Sequence, residues 1–110
     1  MEQQSLTALV QQHLDTALTT SSGRSAHTLH GGRGHVLRQT VIAMTAGTTL
    51  DEHENPGEAT VQVLHGRIAL IAGESRWDGA SGDLLVIPDS RHSLEAVEDS
   101  AVLLTVAMRF

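Results

Sequence analysis

Apolar residues in the first part of the chain recur every three or four positions, which is the period of an α-helix. Polar residues, mainly glutamine, threonine and aspartate, occupy the intervening positions, and the poor helix formers of TTSSG at 19–23 follow. The pattern predicts an amphipathic helix over residues 2–19 that lies on the rest of the protein or mediates self-association. The apolar stripe consists of Leu6, Leu9, Val10, Leu14, Ala17 and Leu18, with His13 at its edge.

From Ser25 onward the pattern changes to short runs rich in valine, isoleucine, leucine and threonine, which are typical of strands. Glycine-containing turns such as GGRG at 31–34 separate these runs. About eight short strands without helical crossovers predict an all-β sandwich or barrel over residues 24–110, after a helix and linker over residues 1–23. Strands are predicted at 27–30, 35–46, 60–65, 68–72, 75–77, 84–87, 92–97 and 102–109.

The composition excludes several kinds of chemistry. The chain of 110 residues has the size of one domain, and it contains no cysteine, no tyrosine and no lysine, all seven basic residues being arginine. Disulfides, thiolate nucleophiles, sulfur-ligated metals and Schiff-base lysines are therefore ruled out. Seven histidines and the carboxylates remain as groups for catalysis or metal binding.

The charge and the aromatic content narrow the choice of partners. A net charge of −6 argues against nucleic acid, and Trp77 and Phe110 are the only aromatic residues on which bases or sugars could stack. No run approaches the roughly 20 apolar residues of a membrane span, and the N-terminus does not resemble a secretory signal. We therefore expect a cytoplasmic protein without a nucleic-acid or membrane partner.

Two histidines stand beside turns in the strand-rich part of the chain. His53 precedes the turn that contains Asn55, and His92 begins a strand just after the Pro88 turn. Imidazole binds divalent metals, and a barrel can bring residues distant in sequence to one inner face. Residues 53 and 55 point to the same side if that stretch is extended. His53, His92 and the amide oxygen of Asn55 would form an incomplete metal site.

The segments GTTLDEHENPGEATVQVLHG at 47–66 and GDLLVIPDSRH at 82–92 resemble the two signature motifs of the cupin superfamily. In the first motif Gly47, His53 and Gly66 occupy the fixed positions, while the second histidine is replaced by Asn55 and the glutamate position falls on an alanine. In the second motif Gly82 and Pro88 match, Ser90 replaces a glycine, and His92 comes one residue early. The resemblance covers residues 35 to 108.

This resemblance implies a cupin-type jelly-roll barrel, or double-stranded β-helix, with a short N-terminal α-helix, assembled as a homodimer. Cupins hold one divalent first-row metal (Fe, Mn, Ni, Zn or Cu) with three histidines and one glutamate, and this chain keeps His53 and His92. Glu58 lies one residue from the glutamate position. Because neighbouring strand residues point to opposite faces, Ala59 on the inside would leave Glu58 outside.

Two functions follow from the same residues. The first is a small molecule bound in the barrel by His53, Asn55 and His92, without obligatory catalysis and with at most a weak metal site. The second is a metal-dependent enzyme of the dioxygenase, isomerase or lyase type, with the metal on His53 and His92. In a third interpretation, compatible with both, the barrel is mainly an oligomerisation module. Whether the protein is an enzyme stays open, and no motif identifies the ligand.

Overall fold

The computed structural model describes residues 2–53 and 57–108, with the side chains of residues 52 and 53 outside that description. One helix and nine strands lie in these ranges. They are α1 (Leu6–Thr19), β1 (Arg24–His30), β2 (Leu37–Met44), β3 (Thr49–His53), β4 (Gly57–His65), β5 (Arg67–Ala72), β6 (Ser75–Ala80), β7 (Leu84–Val86), β8 (His92–Ala96) and β9 (Ser100–Met108).

The strands form two antiparallel sheets, one of five strands in the order β1-β2-β9-β4-β7 and one of four in the order β3-β8-β5-β6. This confirms the all-β fold with a short N-terminal helix. The structure adds β3, which the sequence pattern did not predict. Its sequence, TLDEH, has only one aliphatic residue, Leu50, and the strand is held by pairing with β8.

The main core lies between the two sheets. On β4 the residues Gly57, Ala59, Val61 and Val63 are buried, whereas Glu58 is exposed, as strand alternation requires. Glu58, which lies one residue from the position of the glutamate in the cupin motif, is therefore outside the barrel, as expected from the sequence. The core consists of Met44, Ala59, Val61, Val63, Ile68, Leu70, Ile87, Leu94, Ala96, Val102 and Val106.

The helix α1 lies on the outer face of the five-stranded sheet, as one of the two expectations for it stated, while its role in self-association stays a prediction. Ser5 caps it by accepting a hydrogen bond from the Ala8 amide. Ala17 packs against Ala43 of β2 and Ala101 of β9, where three small side chains allow close approach. No helix in the described ranges is long and apolar enough to cross a membrane.

The two sheets meet at a seam between their edge strands β6 and β7. Two backbone hydrogen bonds join β4 to the turn before β7, from Val63 N to Asp83 O at 2.9 Å and from Gly82 N to Val63 O at 2.8 Å. Leu85 of β7 lies over Gly79 of β6, where an added Cβ would come within 2.7 Å of the Leu85 Cδ1 atom. A glycine at position 79 therefore lets the two sheets close here.

Candidate functional site

His92, the first residue of β8, is the buried histidine among the described residues, with 2% of its surface exposed. Its Nδ1 atom lies 2.8 Å from the carbonyl oxygen of Ser90. A carbonyl only accepts hydrogen bonds, so Nδ1 carries the proton and, in the neutral ring, Nε2 is the acceptor. Metal-binding histidines commonly have their other ring nitrogen held in this way.

The imidazole borders a small cavity inside the barrel, which we call the His92 cavity. Its volume is about 20 Å³. That is enough for one water molecule or ion, and far below the roughly 300 Å³ of a typical organic-ligand site. The other described residues that line it are all aliphatic: Ile42, Leu50, Val61, Leu70, Ile87, Leu94, Val102 and Leu104.

Of the other two residues of the predicted site, the structure describes the backbone of His53. The register of β3 and β8 pairs His53 with His92, so their backbones lie directly opposite each other. Asn55 lies outside the described residues, and the joint site of these three residues stays a prediction. Within residues 2–51 and 57–108, no group of three or more histidines, aspartates or glutamates is arranged to hold a metal ion. The described residues therefore do not make up the family's metal site by themselves.

A larger space opens at the seam between β6 and β7, and we call it the Trp77 groove. It has a volume of about 470 Å³. Trp77 is 47% exposed and lies opposite Leu70 in the β5–β6 pair, so both belong to the core-facing side of the four-stranded sheet. Leu70 also lines the His92 cavity and thus forms a wall common to both spaces. The groove is lined by Leu70, Trp77, Asp78, Asp83, Leu84, Leu85, Val86 and Pro88.

Four of the remaining histidines are exposed, and His13 of α1 is half-buried. His65 is exposed at the end of β4. The group at 27, 30 and 35 does not form one cluster, because His27 stacks on His13 of the helix at 5.7 Å between ring centroids, whereas His30 contacts His35 at 4.9 Å. One histidine of each pair, His27 and His30, belongs to β1, which is an edge strand of its sheet.

Charges are distributed unequally over the outer faces of the two sheets. Arg67, Arg76, Asp78 and Glu95 lie on the outer face of the four-stranded sheet, where Arg76 bridges Asp78 at 3.2 Å and Glu95 at 3.9 Å. On β2, β9, β4 and β7, the outward positions in the described part of the chain carry one charged residue, Glu58. Beyond the helix this outer face presents Leu37, Gln39, Thr60, Gln62, Leu84, Val86, Leu103, Thr105 and Ala107.

Several solved structures share this arrangement. A conserved protein of unknown function from Streptococcus pyogenes is 27% identical, with a TM-score of 0.74 over 83% of this chain and 79% of that chain. An RmlC-like cupin from Desulfovibrio desulfuricans is 26% identical, with a TM-score of 0.66 over 76% of this chain and 81% of that one. A cupin superfamily protein from Desulfitobacterium hafniense is 15% identical, with a TM-score of 0.72 over 78% of both chains. No protein-family model and no curated protein matches the sequence.

Two antiparallel sheets around a small aliphatic interior, with a buried histidine at the start of one strand, define a single-chain jelly-roll barrel. With the named structural neighbours, this establishes the fold of the cupin superfamily for the chain.

Sequence reasoning did not single out the Trp77 groove. A signal for it was present, since Gly73 and Glu74 alone separate Ala72 from Ser75. A two-residue hairpin loop fixes the register and places Trp77 opposite Leu70. Only the fold shows that β6 is an edge strand, so that a tryptophan on its inner face is left half-exposed.

Proposed function

We propose that the protein is a small-molecule-binding cupin whose ligand lies in the Trp77 groove, separated by Leu70 from the His92 cavity. The volume of the groove carries this proposal, because about 470 Å³ is in the range of organic-ligand sites and the inner cavity is not. The groove is lined by aliphatic side chains, one aromatic ring and two carboxylates. A few polar groups on a mainly apolar lining are typical of sites for small organic molecules.

A second groove of about 510 Å³ adjoins the first at Val86, but it is less suited to a ligand of the barrel. It includes outward-facing residues of the five-stranded sheet, among them Glu58, Thr60 and Thr105. Both grooves reach the main core, through Ala59 and Ile87 in this one and through Leu70 in the Trp77 groove, but among the described residues only the lining of the Trp77 groove includes an aromatic ring.

Benzyl alcohol is a suitable neutral probe, because Trp77 is the only tryptophan in the chain and its fluorescence reports on the groove alone. We expect a saturable change in Trp77 emission, with a dissociation constant on the order of 1 mM, about 4 kcal/mol of binding free energy. The probe should also raise the melting temperature, because it binds the folded state.

The variant Trp77→Ala should lose most of this thermal stabilisation, because it removes the aromatic wall of the groove. Val97→Ala is the control, since Val97 is 39% exposed and lies outside the groove. Equal stabilisation of both variants, or an emission change that does not saturate, would place the probe elsewhere and contradict the proposal.

Metal-dependent catalysis is the second candidate, and the hydrogen bond from His92 Nδ1 to the Ser90 carbonyl favours it. The pairing of His53 with His92 is a backbone arrangement from which two histidines on adjacent strands could share one ion. A metal there would act as a Lewis acid or lower the pKa of a bound water. His92 would contribute Nε2, and further ligands would have to come from the side chains between residues 52 and 56.

Metal analysis by plasma mass spectrometry of untagged protein, purified without chelators, separates the two candidates. We expect clearly substoichiometric metal that is unchanged in His53→Ala and His92→Ala, because the described residues bring one imidazole to the cavity. Close to one first-row metal ion per chain, lost in both variants, would favour the enzyme and justify screening oxygen-dependent reactions.

We also propose that the protein is a homodimer and that the outer face of the five-stranded sheet is its interface. Two copies with a net charge of −6 repel each other over most of their surfaces. The described residues of this face beyond the helix include one charged side chain, Glu58, so the two copies can approach here with the least repulsion. Leu37, which is 42% exposed and does not line the Trp77 groove, would become buried there.

A further inference from the structure

The charges at the Trp77 groove are all of one sign. Asp78 and Asp83 belong to its lining, and no arginine does within residues 2–51 and 57–108. The chain as a whole is acidic, with 13 carboxylates against seven arginines. A ligand that approaches this groove therefore meets a negative potential, which attracts cations and repels anions.

The two carboxylates differ in how far their charge is balanced. The Oδ1 atom of Asp78 lies 3.2 Å from Nη2 of Arg76, which also approaches Glu95 on the outer face of the sheet. Asp83 has no cationic partner among the described residues. Its Oδ2 atom accepts a hydrogen bond from the Ala80 amide at 2.8 Å, which fixes the carboxylate at the turn before β7. Asp83 is therefore a positioned and uncompensated negative charge at the groove.

An aromatic ring next to such a carboxylate is a recognised arrangement for organic cations. The π face of tryptophan attracts ammonium groups, and about half of the Trp77 surface is accessible. The aliphatic walls formed by Leu70, Leu84 and Leu85 suit the alkyl substituents of such a cation. A strongly hydrated metal ion would gain little from these walls, whereas a substituted ammonium ion uses the ring, the walls and the carboxylate together.

We propose that the ligand of the Trp77 groove is an organic cation, a substituted ammonium compound held by Trp77 and Asp83. The inference rests on the proposed function and adds the chemical class of the ligand. Asp78 strengthens the negative potential, while its pairing with Arg76 makes Asp83 the main electrostatic contact.

Three probes that share one phenyl ring test the inference: benzyltrimethylammonium, neutral benzyl alcohol and anionic benzenesulfonate. Trp77 emission, excited beyond the phenyl absorption, gives the affinity of each. We expect the cation to bind about three- to ten-fold more tightly than the alcohol and the sulfonate to bind more weakly than either. The advantage of the cation should shrink as the salt concentration rises.

The variant Asp83→Asn removes the charge, and its amide oxygen can still accept the hydrogen bond from Ala80. It should lower the affinity for benzyltrimethylammonium about two- to five-fold and leave that for benzyl alcohol unchanged. Asp99→Asn is the matched control, because Asp99 accepts a similar 2.8 Å bond from the Ala46 amide and does not line the groove.

The outcomes separate this inference from the proposed function. Equal affinities for the cation and the alcohol, or equal losses in Asp83→Asn and Asp99→Asn, overturn the organic-cation assignment while ligand binding in the groove stands. If none of the three probes changes Trp77 emission saturably, both proposals are wrong.

Discussion

Replacing Gly66 by alanine is expected to lower the free energy of unfolding by about 4 kcal/mol, a loss that is large for a single methyl group. Gly66 forms the turn between β4 and β5 with φ at 83°. A Cβ atom there would lie 2.3 Å from the carbonyl oxygen of Asp99 and 2.9 Å from the Cα atom of Ser100. Both contacts are with backbone, so β9 would have to shift at its first residue.

Such a shift would also disturb the buried Ser100. Its hydroxyl accepts a hydrogen bond from the Arg67 amide at 3.0 Å and lies 2.9 Å from the Arg67 carbonyl oxygen. Loss of partners by buried polar groups adds about 1–3 kcal/mol to the cost. Urea denaturation followed by circular dichroism measures the total.

Gly47→Ala is the control for this prediction. Gly47 has nearly the same φ, 86°, but apart from its neighbours in the chain no atom of the described residues lies within 4 Å of the position that its Cβ would take. The free energy of unfolding of Gly47→Ala should therefore fall by only about 1–2 kcal/mol, which is the conformational cost of a left-handed non-glycine residue. Equal losses in the two variants would show that the contact with Asp99 and Ser100 is not responsible.

If the proposed dimer forms, Thr60→Arg is expected to convert it into monomers without unfolding the chain. Thr60 lies on the outer face of β4, opposite Thr105 of β9 and Val86 of β7. A two-fold symmetric interface would contain the substitution twice, so two guanidinium groups would be buried in a face whose described residues offer Glu58 alone as a partner. Burying unpaired charges costs several kcal/mol, which shifts dissociation by two orders of magnitude or more, at about 1.4 kcal/mol per tenfold change.

Light scattering after size-exclusion chromatography measures this change, and Thr49→Arg is the control. Thr49 is exposed and paired with Glu95 on the four-stranded sheet, so an arginine there gains a carboxylate neighbour. We expect the wild type and Thr49→Arg to be dimers of 23 kDa (twice 11.7 kDa) and Thr60→Arg to be a monomer. A monomeric wild type, or a Thr60→Arg variant that stays dimeric, would contradict the proposal that this face is a dimer interface.

Periodicity and turn residues were enough to predict most of the fold. The helix was expected over 2–19 and forms over Leu6–Thr19, with Ser5 as its cap. The pattern at 60–65 correctly predicted the core-facing strand β4, because valine at alternate positions reflects burial on one side. Strand β3 was missed because its residues at 51–53 are polar, and only pairing with β8 makes them a strand.

The candidate site could be predicted less well, because its size depends on packing between distant elements. The position of His92 at the start of a strand was predictable from the Pro88 turn. The small volume of its cavity was not, since Ile42, Leu50 and Leu104 come together from three different strands. The half-exposed Trp77 likewise follows from the order of strands in the sheets, which no local pattern encodes.

The central position of β9 has a consequence for synthesis on the ribosome. This strand pairs with both β2 and β4, for example through Val102 with Ile42 and Val63. Its residues are translated between 36 positions (Ala101 after His65) and 70 positions (Ala107 after Leu37) after their pairing partners, so the five-stranded sheet cannot close before β9 leaves the exit tunnel. Until then the nascent chain exposes the apolar faces of β2 and β4, and we expect it to depend on ribosome-associated chaperones and to fold only after β9 emerges.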